Sequence, residues 1–149
     1  MAQFNAPDLI SKPVFTDDDA SAVTFTGAVT PATSPATTDQ LQFMKVPAGT
    51  EINTVILQNT VDIDTNATAT LAVNVGYVFA DGSTAPSGAN TAFAAASTAL
   101  QAPGRTALNF APFRVEKDII IQVVPTVVAA TFASAKISAI VHGIAYGAK

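Results

Sequence analysis

The sequence contains no cysteine and no tryptophan, only two tyrosines, and very little charge: Asp, Glu, Lys and Arg together make up 12% of its 149 residues. Without cysteine there is no disulfide framework and no thiolate chemistry, and zinc lacks its preferred structural ligands. Stability must come from packing and hydrogen bonds alone. The seven basic residues, Lys12, Lys45, Arg105, Arg114, Lys117, Lys136 and Lys149, stand singly in a chain of net charge −4. Phosphate contact needs clustered positive charge to release counterions, so nucleic acid is not expected as a direct partner. A charge content so far below the usual quarter implies that much of the surface is hidden against something.

Long apolar runs are also missing. The uncharged stretch rich in Ile and Val, from Ile119 to Ala135, is interrupted by Gln122, Pro125, Thr126, Thr131 and Ser134, too short and too polar to span a bilayer comfortably. No membrane partner is expected. The opening MAQFNAPDLISKPVF carries Pro7, Asp8, Lys12 and Pro13 where a signal peptide needs an unbroken apolar segment, so secretion by that route is not expected either.

What is present is a chain long enough for one domain with one sizeable core. Apolar residues account for 49%, but 29 of the residues are alanine. The volume of the core must therefore come from Val, Ile, Leu and the nine Phe. Residues 1–39 read as an extended amino-terminal arm: Pro7, Pro13, Pro31 and Pro35 punctuate them, and Asp17-Asp18-Asp19 adds an acidic run. Such a stretch cannot build a core by itself, although the alternation Val23, Phe25, Gly27 suits one strand added to a sheet.

Residues 40–149 read as a series of strands. QLQFMKV, INTVILQN, the long alternation Leu71, Val73, Val75, Tyr77, Phe79, then RTALNFAPFRV, DIIIQVV and KISAIVHGIAYG are separated by turn residues such as Pro47-Ala48-Gly49 and Asp81-Gly82-Ser83. Between them TAFAAASTALQA fits either a short helix near residues 91–101 or an Ala-lined loop. Short strands at this spacing, with no repeated helical segments, give an all-β fold, an antiparallel β-sandwich with jelly-roll topology preferred.

Few residues suggest chemistry. Asp62-x-Asp64-x-Asn66 looks like the first half of a calcium loop, but the positions where the EF-hand needs glycine and a closing carboxylate hold Ala67 and Val73. Asp and Asn also bond their own backbone in turns, which accounts for the cluster as a corner without metal. The single histidine, His142, lies on a strand between Ile140 and Ile144 and has no nucleophile motif to serve. Glu51 and Glu116 are the carboxylates nearest strand ends, and the shortage of Trp and Tyr leaves a sugar site with little to stack against. The sequence thus points to no catalytic, metal or cofactor-binding residues, and the expectation is a non-enzyme that works through its surface.

The run VPAGTEINTVILQNTVDIDTNATATLAVNVGYVFADGS and the later STALQAPGRTALNFAPFRVEKDIIIQVVPTVVAATFASAKISAIVHGIAYG resemble small structural proteins of tailed bacteriophages. The shared pattern comprises a V-P-A-G-T opening, an acidic corner, a strand ending in V-G-Y, an F-A-P-x-x-x-E-K-D turn and a closing A-T-F-A-x-A-x-I-x-A-I-V strand. It covers about two thirds of the chain, Val46 to Gly147. Members of that group with a known role are head decoration or cement proteins. The resemblance implies a jelly-roll body, a homodimer or homotrimer on the capsid exterior with the major capsid protein as partner, and synthesis in a bacterial cytoplasm. A tail or fibre component is the nearest alternative, a carbohydrate-binding sandwich the more distant one. Phe4, Leu9, Ile10, Val14 and Phe15 are the expected arm contacts, since apolar side chains in a proline-broken segment have little core of their own to join; folding back on their own sandwich is the competing expectation.

Overall fold

The computed structural model describes residues 3–5 and 20–146. Within them ten strands appear in chain order: β1 (Gln3–Asn5), β2 (Ser21–Val29), β3 (Gln40–Val46), β4 (Thr50–Asn59), β5 (Ala72–Phe79), β6 (Ala94–Ser97), β7 (Gly104–Ala107), β8 (Phe113–Arg114), β9 (Ile119–Val127) and β10 (Ile137–Ala145). One sheet has the order β1-β3-β9-β5-β6 and the other β2-β10-β4-β7, with β8 also paired to β4. Except for the three-residue β1, which lies parallel to β3, every pairing among these strands is antiparallel. Strands β2 to β5 alternate between the sheets, and the late strands β9 and β10 insert between the early ones. That winding is the jelly roll the strand pattern favoured.

The period of two in the sequence becomes two faces in space. Along β10, Ile137, Ala139, Val141, Gly143 and Ala145 are buried and the residues between them are half-buried. Phe43, Val46, Ile52, Val55, Leu57, Val73, Val75, Ile121 and Val123 complete the core between the sheets. On the β5 side, Tyr77, Phe93, Phe110 and Phe113 interlock, with Phe93 centred 5.0 Å from Phe110 and 5.9 Å from Phe113. Aromatic volume thus fills the sandwich where alanine cannot.

The Ala-rich segment corrects one expectation. Residues 91–101 hold no α-helix; a single 3-10 turn, Ala89–Thr91, leads into β6, which pairs with β5. Helix propensity is a weak preference. Here Phe93 is anchored in the core, its N–H bonds to the carbonyl of Val75, and β5 offers an open edge with which residues 94–97 can pair. Pro125 likewise does not end its strand: β9 continues to Val127, and the β5 partner absorbs the fault as a register shift between Ala72 and Val73.

Close backbone approaches require particular small residues. A Cβ on Gly27 would fall on the carbonyl oxygen of Phe43, where β2 and β3 draw the two sheets together. One on Gly76 would strike the carbonyl of Ala89, because the 3-10 turn lies over the outer face of β5. That turn also covers Gln122, whose side-chain amide donates to Asn90 at 3.1 Å. Replacing Gly27 by valine should lower the unfolding free energy by about 2 kcal/mol or more, as for other overpacked sites. Urea titration measures this, and an unchanged midpoint would show that the β2–β3 contact is not tight.

Candidate assembly surface

The corner at Asp62-x-Asp64-x-Asn66 is built around one buried carboxylate. Asp64 is 2% exposed, and it accepts backbone N–H groups from Thr70 (2.7 Å), Leu71 (3.1 Å), Ala130 (3.0 Å) and Thr131 (3.0 Å). Asn66 adds a longer bond to Oδ1, and the Asn66 side chain in turn accepts from the N–H of Thr68. Desolvation by burial pushes the Asp64 carboxyl up, but the N–H groups of Thr131, Thr70, Ala130 and Leu71 together outweigh it and hold the group well below the usual carboxylate range. Both oxygens are occupied by protein donors, as in a turn, whereas Asp62 points outward, exposed.

These bonds stitch the 60–71 corner to the 128–136 loop, and further bonds tie in two more loops. Residues 60–71, 98–103, 128–136 and 30–39 all emerge at the same end of the sandwich, because Val29, Gln40, Asn59, Ala72, Val127 and Ile137 are the strand termini there. The N–H of Ala133 donates to Ile63 and that of Thr65 to Thr131, both at 2.9 Å. Asn59 donates at 3.0 Å to the carbonyls of Val61 and Ala102, and the Ser134 hydroxyl at 2.7 Å to Pro31. The Gln101 amide reaches the Leu71 carbonyl at 2.8 Å. A loop end laced in this way is fixed before any partner arrives, which lowers the ordering cost of binding.

The outside of this end carries less charge than the opposite end. Besides the buried Asp39 and Asp64, it carries Asp62 and Lys136, with Arg105 at the edge on β7. Alanine, threonine and valine fill most of the rest, with Ser34, Asn66, Pro103 and Ser134. Val61, Val127 and Val128, three of the four exposed large apolar residues among those described, are 48%, 46% and 43% exposed here.

The opposite end has the other character. Lys45, Glu51, Asp81, Arg114, Glu116, Lys117 and Asp118 gather there. Lys45 bridges Asp118 at 2.8 Å, Lys117 lies 3.6 Å from Asp81, and the Ser83 hydroxyl and N–H hold Asp81 below its ordinary pKa. A cleft of about 210 Å³ opens there, floored by Tyr77, Phe79 and Phe113 and rimmed by Arg114 and Glu116. Glu51 meets the Tyr146 hydroxyl at 3.4 Å, and the Arg114 guanidinium sits 5.1 Å from the Tyr146 ring. His142, on the outer face of β10, shares a 2.9 Å hydrogen bond with the Thr24 hydroxyl. Among the described residues no three of His, Asp and Glu come together as metal ligands.

Of the expected arm contacts, only Phe4 falls within the described chain, where its backbone pairs with Leu41 of β3. Leu9, Ile10, Val14 and Phe15 lie outside the described residues. Reading along the sequence does not single out the charge-poor end. Its one signal is the uncharged stretch Ile119 to Ala135, which leaves β9 with Val127 and Val128 exposed.

No family model matches the chain, and no curated protein matches it. Solved structures do share its fold. It is similar to a chain in the capsid of Ralstonia phage GP4, with a TM-score of 0.77 and 22% identity over 99% of each chain. It is also similar to a chain in the cyanophage Pam1 capsid asymmetric unit, with a TM-score of 0.72 and 22% identity over 90% of this chain and 91% of that one. A chain in the acidic stable capsid structure of Helicobacter pylori bacteriophage KHP30 matches more distantly, with a TM-score of 0.55 and 15% identity over 87% and 95%. At these identities the likeness is one of fold.

Because the folded pKa of Asp64 is depressed, its contribution to stability is complete above the unfolded-state value near 3.9 and is lost as the pH falls through that value towards the lower folded one. Asp64→Asn replaces an acceptor oxygen by an amide that faces N–H donors. The variant should melt lower by about 5 °C or more at neutral pH, with a shallower loss of stability below pH ~4. Thermal melts from pH 7 to 2 check this; parallel curves for variant and wild type would contradict it.

Proposed function

We propose that this protein is a structural component of a bacteriophage virion that binds the outer surface of the capsid as a homodimer or homotrimer and braces the coat subunits. The observation that carries the reading is the shared fold: a jelly roll matching, over nearly its whole length, chains of phage capsid structures. A preformed, weakly charged loop surface suits a protein partner, and the scattered basic residues give nucleic acid no purchase. No helix among the described residues is long and apolar enough to cross a membrane. We read the protein as a non-enzyme, consistent with the two groups best placed for chemistry being otherwise engaged: Asp64 by backbone donors, His142 by a threonine hydroxyl. The arm, including Phe4, Leu9, Ile10, Val14 and Phe15, is proposed to add contacts to the coat or to a neighbouring copy.

Labelling of intact particles tests the assignment directly. Signal over the head, with a copy number in fixed ratio to the coat protein, is the expected result; label confined to the tail would make it a tail or fibre component instead. Deleting residues 1–20 should leave the sandwich folded, by circular dichroism, while reducing occupancy on particles several-fold. Full occupancy by the truncated chain would remove the arm from the account.

A further inference from the structure

Resting on the capsid reading, we propose that the charge-poor end organised by Asp64 is the surface that seats on the coat shell, with the charged end turned to solvent. Three observations, taken together, favour that end. Its loops are cross-linked by part-buried hydrogen bonds, so its shape exists before docking. It gathers exposed Val61, Val127 and Val128. It also presents fewer charged side chains on its surface, Asp62, Lys136 and Arg105, than the far end, where Lys45, Glu51, Asp81, Arg114, Glu116, Lys117 and Asp118 gather. Desolvating charge on docking is costly, whereas covering valine and threonine-bearing loops is not. Charge matching points the same way: the occupant is a protein surface of equally low charge, since a phosphate backbone or an anionic membrane would demand basic clusters that this end lacks.

Size then sets a further condition. Five strands in one sheet and four in the other, about 4.8 Å apart with the sheets about 10 Å apart, make an end of roughly 20 by 20 Å, or ~400 Å². This is about half of what each partner gives to a standard stable interface, ~800 Å². One copy therefore binds the shell weakly, and several copies joined in an oligomer bind it through their summed ends.

Binding of the purified full-length chain to shells that lack it, followed by co-sedimentation, separates the possibilities. Val61→Glu and Val128→Glu should each reduce bound copies by tenfold or more, while Lys117→Glu at the far end binds like wild type. Sedimentation velocity and thermal melting of the same samples should show an unchanged oligomer and fold; if Val128→Glu proves unstable, Val61→Glu decides. Valine variants that bind normally would overturn the proposal, as would loss of binding by Lys117→Glu. Valine variants that dissociate the oligomer would assign this end to contacts between copies and overturn it equally. Failure of the wild-type chain itself to bind would instead sink the capsid reading on which the proposal stands.

Discussion

One carboxylate ties together two loops at one end of the sandwich. Asp64 is taken out of water and receives in exchange the N–H groups of Thr70, Leu71, Ala130 and Thr131. Two of these come from just past its own corner, and two from a loop more than sixty positions later in the chain. A buried charge is tolerable only when its hydrogen-bonding capacity is filled, and here the donors are backbone groups that would otherwise be unpaired in loops. Charge-assisted bonds of this kind are also the strong ones. The same contacts thus solve two problems: they satisfy the carboxylate, and they turn separate loops into one rigid surface.

The remainder of the fold is a matter of letting two sheets come close without strain. Glycine at positions 27 and 76 allows backbone to lie on backbone, at the β2–β3 edge and beneath the 3-10 turn. Ala139, fully buried in the middle of β10, adds little volume to the core, while Phe43 and Phe93 supply bulk elsewhere. The abundance of alanine becomes intelligible in these terms. On the loops at the Asp64 end it makes a surface that is neither charged nor greasy, held in place by neighbours instead of by its own side chains.

Much of the architecture was legible in the sequence because strand periodicity is a local signal. The alternation from Leu71 to Phe79 and that from Ile137 to Ala145 became β5 and β10. The acidic corner was legible as a turn, since Asp and Asn bond nearby backbone. What could not be read was that Asp64 in particular turns inward, because half of its donors come from residues 130 and 131. Residues 91–101 were ambiguous for a related reason: alanine favours a helix in isolation, but the anchoring of Phe93 and the open edge of β5 are tertiary facts. The charge-poor end was hidden most completely. It is assembled from four loops, and no single segment displays the contrast with the opposite end.

The central physical claim is that Asp64 locks residues 60–71 to residues 128–136 as firmly as the strands are locked. Amide hydrogen exchange of the free protein tests it at single residues, since Thr70, Ala130 and Thr131 lie in exposed loops, where unprotected amides exchange quickly. The account predicts that these three amides, together with Leu71, exchange as slowly as those of β9 and β10, through global unfolding alone. Exchange at rates typical of open loops, with the strands still protected, would contradict it.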